Sequence, residues 1–154
     1  MSVYLLALLI GIIAGLRTMT APAAIAWTIY LNHLNLGGSW LSFLGNIWVR
    51  WILTVLAIIE LITDQLPSTP SRTVPVQFGA RILTGALSGA AVGATGGSWV
   101  VGLLLGIVGA VVGTLGGRAF RAKLATAFGS DRPAALTEDA VAIVGALLIG
   151  VALR

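Results

Sequence analysis

The chain has no cysteine, one histidine and only five acidic side chains among 154 residues. Without cysteine there is no disulfide framework, no thiolate metal site and no thiol nucleophile. A lone histidine, His33, excludes a multi-histidine metal site within one chain. Charge of either sign is scarce. Nine Lys or Arg and five Asp or Glu make up 9% of the residues, against about 25% in an average soluble domain. So few charges cannot cover a water-soluble surface. The 58% hydrophobic content likewise excludes intrinsic disorder. No nucleotide loop, zinc motif or serine triad can be assembled. The string Gly113-Thr114-Leu115-Gly116-Gly117-Arg118 lacks the Lys-Ser or Lys-Thr that completes a phosphate loop. Neither a catalytic centre, a metal site nor a cofactor is expected. Nucleic acid is not an expected partner, because the basic residues follow a membrane pattern.

What is abundant is apolar length. A bilayer core about 30 Å thick needs roughly 20 mostly apolar residues per spanning helix. Five segments qualify: Val3 to Leu31 with a flaw at Arg17, Asn46 to Thr63, Val74 to Thr95, Trp99 to Gly117, and Ala134 to Leu153. They do not alternate in polarity and exceed the about 9–11 residues of a barrel strand. The expected fold is therefore all-α, a polytopic membrane helix bundle forming one domain over residues 1–154. Arg118, Arg121, Lys123 and Arg132 share one connection, and Arg72 lies in another. With five spans both fall on one side, expected to be the cytoplasmic face of a bacterial inner membrane. The N-terminus is then cytoplasmic and the C-terminus outside. Trp27, Tyr30, Trp40, Trp48, Trp51 and Trp99 fall near the expected outer boundary, and Tyr4 near the inner one. No cleaved signal peptide is expected, since Met1 to Leu16 carries no basic side chain.

Glycines recur at steps of three or four: Gly11 and Gly15; Gly85, Gly89 and Gly93; Gly102, Gly106, Gly109, Gly113 and Gly117. Such faces let helix backbones approach closely in lipid. They serve either packing within one chain or a homo-oligomer, and the oligomer is the expectation because five short spans enclose little interior.

Arg17 is the most informative polar residue. A charge at the centre of a spanning helix costs about 2.5–3.5 kcal/mol on insertion scales. Its neighbourhood, Gly15-Leu16-Arg17-Thr18-Met19-Thr20-Ala21-Pro22, suits a helix end followed by a new start capped by Thr20. The first span then becomes two half-helices that together still cross the core. The free N–H groups of the second, with Arg17 beside them, favour an anionic group. The alternative pairs Arg17 with an acid from another span, in which case the anion site disappears. Glu60 and Asp64 share a helix face, Glu138 and Asp139 open the last span, and Arg81 lies two turns into the third. Arg121 and Lys123 are expected at anionic lipid heads. The candidate substrate-binding residues are Arg17, Thr18, Thr20, Arg81, Glu60, Asp64, Glu138 and Asp139. The expected function is a small transport or channel-like protein for an anionic solute or lipid headgroup. The alternative is a non-transporting module that binds membrane lipids or a partner helix.

Gly15-Leu16-Arg17 with Pro22, Glu60-Leu61-Ile62-Thr63-Asp64-Gln65-Leu66-Pro67, the basic stretch and Leu136-Thr137-Glu138-Asp139 occur in that order. The pattern resembles a family of small bacterial integral membrane proteins catalogued as a domain of unknown function, the 4126 type. Where that family often has Asn after Gly-Leu, this chain has Arg17. The resemblance implies a membrane protein and points to Glu60, Asp64, Pro67, Glu138 and Asp139. It implies no activity.

Overall fold

The computed structural model describes residues 2–32, 34, 36, 39–65 and 73–154. His33, Asn35, Leu66, Pro67 and Arg72 lie outside the described residues. Among those described there are six α-helices and no strand: α1 Val3–Leu16, α2 Thr20–Leu31, α3 Ile47–Thr63, α4 Pro75–Thr95, α5 Trp99–Phe128 and α6 Asp131–Ala152. A short 3₁₀ helix, Trp40–Gly45, precedes α3. Asn46 caps α3 by accepting the Trp48 N–H at 2.8 Å. Pro75 occupies the first turn of α4, where its missing N–H costs nothing. α5 continues well past Gly117, because Arg118 to Phe128 is rich in good helix formers. Most of the expected connection after span four is therefore helix. Gly129, at φ +68°, ends α5 in the left-handed conformation that a side chain resists. α5 and α6 are each long and apolar enough to cross a membrane.

The helices alternate in direction, and this corrects the first span. The Tyr4 hydroxyl donates to the Gly96 carbonyl at 3.2 Å, so α1 begins beside the turn between α4 and α5. Arg81 on α4 reaches the end of α1, and α1 therefore descends along α4 to Arg17. α2 does not continue that path. Its far end returns, with Asn32 donating to the Gly150 carbonyl at 2.9 Å near the end of α6. Trp27 donates to Thr54 on α3 at 2.9 Å. Trp40 then meets Trp99 edge-on, with ring centroids 6.0 Å apart. Val3, Asn32, the 3₁₀ helix, Gly96 and Gly150 thus share one end, rich in tryptophan. α1 and α2 form a helical hairpin whose tip, Arg17-Thr18-Met19, points to the opposite, charged end. At about 1.5 Å per residue the arms are about 21 and 18 Å long. Instead of one continuous first span with termini on opposite sides, α1 and α2 run antiparallel, the six helices alternate in direction and both termini lie at one end. Tyr4 joins the tryptophans instead of facing them across the bundle.

The glycine stripes explain why α1, α4 and α5 form the tight centre. A Cβ at Gly93 would lie 2.5 Å from Gly102 Cα, and one at Gly15 would lie 2.6 Å from Thr114 N. A Cβ at Gly106 would overlap the Gly85 carbonyl oxygen. These glycine faces pack backbone against backbone within one chain. α2, α3 and α6 surround this centre. α3 packs chiefly on α2 and the 3₁₀ helix. Arg50 of α3 is buried with its guanidinium carbon 3.8 Å from the Tyr30 ring and 4.7 Å from Trp27.

Candidate functional site

The hairpin tip collects the polar groups of the chain. α1 ends at Leu16 with carbonyls that have no helical partner, and α2 begins at Thr20 with free amides. The end carbonyls of α1 and the amides leading into α2 each meet an opposite charge from another helix. Arg81 Nη1 donates to the carbonyls of Gly15 at 2.9 Å and Leu16 at 2.8 Å. Glu60 accepts the Thr18 N–H on one carboxylate oxygen and the Met19 N–H on the other, both at 2.7 Å. Both pairings agree with the helix dipole, negative at the end of α1 and positive at the start of α2. Glu60, not Thr20, therefore caps the second half-helix. Thr20 is its first residue, and its buried hydroxyl has no hydrogen-bond partner among the described residues.

Arg17 is wholly buried. Its Nε donates to Asp139 and its Nη1 to Asp64. Nη2 makes no hydrogen bond among the described residues and lies 3.7 Å from Glu138 Oε2. Arg121 extends the network, donating to Asp64 Oδ2 at 2.6 Å and to both Asp131 oxygens at 2.9 and 2.6 Å. Its Nη1 also lies 3.7 Å from Glu138 Oε2. Gln65 Nε2 donates to Asp139 Oδ2 at 2.9 Å. All five acidic residues of the chain thus converge on the hairpin tip and its two flanking arginines. Asp64 follows the end of α3. Burial pushes its carboxyl up, but Arg17 and Arg121 outweigh burial and hold it below the usual carboxylate range. Among the described residues no group of three or more ligand-type side chains is placed to hold a metal ion.

The eight residues singled out from the sequence are brought together, but in different roles. Thr18 contributes its backbone amide, and Thr20 stands beside the network without joining it. Arg17 and the Thr18 and Met19 amides just before α2 already hold carboxylates of the chain itself, so the vacant anion site expected there is filled. Arg121 leaves the lipid-facing role expected for it and sits inside the cluster. Sequence reasoning missed Arg121, Asp131 and Gln65 as members of the site. Asp131 and Arg121 lie ten positions apart across the Gly129 turn, a separation that no helical periodicity links.

The family model described as "Domain of unknown function (DUF4126)" matches residues 4–152, and the chain belongs to that family. No curated protein and no solved structure matches it.

Proposed function

We propose that this member of a family without an assigned activity is a small membrane transport protein that moves protons through the charged cluster at its hairpin tip. The observation that carries the reading is the sharing of one wholly buried guanidinium by three carboxylates, Asp64, Glu138 and Asp139. Crowded carboxylates hold a proton among them more readily than separate ones, and their titrations couple. Fixed charge within a membrane protein marks ion and proton routes by default. Irregular backbone at such depth is tolerated where it is enclosed by protein, as at residues 17–19. An anionic solute or lipid headgroup is a poorer fit, because its donors are already bonded to carboxylates. The apolar side chains exposed along α3, α5 and α6 make the belt that lipid would cover. With Arg118, Lys123 and Arg132 at the charged end, that end faces the cytoplasm of a bacterial inner membrane, and both termini lie outside.

The test uses purified protein in liposomes loaded with a pH-sensitive dye under an imposed pH gradient. Wild type should dissipate the gradient faster than empty vesicles. Asp139→Asn, which keeps the side-chain shape, should slow it at least tenfold while the protein remains folded. A wild-type rate equal to that of empty vesicles, or an unchanged rate in Asp139→Asn, overturns the proposal. The second reading is a non-transporting membrane module. One observation favours it: the same charged groups tie the inner ends of α1, α3, α4, α5 and α6 together, as a clamp would. A clamp predicts lost thermal stability in the variants and no proton flux in any of them.

A further inference from the structure

We infer that the Arg50 guanidinium is an oxyanion site at the tryptophan-rich end, occupied by the phosphodiester of a membrane lipid. The inference needs the bilayer placement proposed above and is independent of proton movement. Arg50 lies in the first turn of α3 and is 5% exposed. It is the buried cation that the hairpin tip leaves out, because all five acidic residues of the chain lie at the opposite end. The other buried arginines donate to full acceptors. Arg17 reaches Asp64 and Asp139, and Arg81 reaches the Gly15 and Leu16 carbonyls. Arg50 has ring faces instead, Tyr30 at 3.8 Å and Trp27 at 4.7 Å. A ring face attracts a cation but brings no counter-charge and takes no charge-assisted hydrogen bond. Among the described residues Nε is enclosed without a hydrogen-bond partner. Burying a charge in this state is costly unless something outside the chain completes it.

The surroundings specify an anion from the headgroup layer. Asn46 takes the Trp48 N–H, but the first turn of α3 carries no acidic side chain against the positive end of the helix dipole. Long helical side chains lean toward the N-terminus of their own helix. The guanidinium accordingly sits closer to Tyr30 than to Trp27, which lies nearly a turn deeper along α2. It therefore points to the same end as the first amides of α3. Of its nitrogens only Nε is wholly enclosed, and the terminal ones keep the small surface by which an anion reaches them. Trp40, Trp48 and Trp51 are exposed around this end, and tryptophan favours the headgroup level. The anions at that level are lipid phosphodiesters, and a guanidinium fork matches two phosphate oxygens at once. A free phosphate offers the same oxygens. A lipid adds acyl chains to cover the exposed apolar side chains farther along α3, such as Val55 and Ile59.

Native mass spectrometry of the delipidated protein in a neutral detergent tests the site. In the parent variant the exposed Arg118, Lys123, Arg132 and Arg154 are replaced by Gln, which removes competing surface cations. Phosphatidylglycerol and a diacylglycerol with the same chains are titrated separately. One phosphatidylglycerol per chain should be retained, with diacylglycerol bound roughly tenfold more weakly. Arg50→Gln should erase that preference. Arg50→Lys, which keeps the charge without the planar fork, should weaken phosphatidylglycerol several-fold. Should either variant fail to fold, the comparison of lipids in the parent decides, as it leaves Arg50 untouched. Equal retention of the two lipids by the parent, or an undiminished preference in Arg50→Gln, overturns the inference. Inorganic phosphate at equal concentration should leave the lipid bound. If it displaces the lipid, the site belongs to a soluble anion and the lipid is overturned as its occupant.

Discussion

Gly106→Ala is the sharpest probe of the packing that holds the hairpin tip in place. A methyl group there would overlap the Gly85 carbonyl oxygen and lie 2.9 Å from Gly85 C and 3.0 Å from Gly89 Cα. All three are backbone atoms, which cannot rotate away. Carbon contacts are optimal at about 3.5–4.0 Å, so α4 and α5 must separate by on the order of 1 Å. The separation also loosens the neighbouring contacts between Gly89 and Gly102. Overpacking of this kind costs about 1–3 kcal/mol, and the rigidity of the obstruction places Gly106 at the upper end. Gly116 is the control: a Cβ there meets nothing within 4 Å. Gly116→Ala should be neutral or stabilising by roughly 0.5–1 kcal/mol, since it removes only glycine's backbone freedom. Thermal unfolding in detergent, read by circular dichroism, compares the two. A Gly106→Ala protein as stable as Gly116→Ala would refute the close backbone crossing of α4 and α5.

Other outcomes follow from the charged cluster. Arg17→Gln leaves Asp64, Glu138 and Asp139 without their shared cation and should destabilise by about 3–5 kcal/mol. Adding Asp139→Asn should restore part of that loss, so a double-mutant cycle that shows strict additivity would deny the pairing. Asp64 has its folded-state value depressed by Arg17 and Arg121 despite burial. Its contribution is therefore whole above about pH 4 and is lost as the pH falls through the folded value. Unfolding midpoints measured across acid pH should drop in wild type, and Asp64→Asn should flatten that limb while lowering stability near neutrality.

Most helices were legible from long apolar runs, but the end of α5 was not: the charged stretch after Gly117 reads as a connection, while its good helix formers carry α5 on to Phe128. The interruption at Arg17 was legible, since Gly15 and the Thr20-Ala21-Pro22 start are local signals. The direction of α2 was not. A three-residue break is equally compatible with a kinked span and with a hairpin. Contacts far apart in sequence decide between them, Asn32 with Gly150 and Trp27 with Thr54. The error propagated, because counting α1 and α2 as one span changed the parity and put the termini on opposite sides. The acids near the site stood out as unusual residues in an apolar chain. Their pairing with Arg17, and the use of Glu60 as a cap for another helix, depend on that same tertiary direction.

The hairpin is tested most directly by sidedness, and the absence of native cysteine makes the labelling clean. Single cysteines at Ser2, Ser42 and Ser130, all exposed, are reacted with a membrane-impermeant maleimide in sealed vesicles of one orientation. Positions 2 and 42 should label from the same side, and position 130 only after the vesicles are opened to the other. Labelling of positions 2 and 42 from opposite sides would mean that residues 3–31 pass straight through the bilayer, and the hairpin with Arg17 at its tip would be wrong.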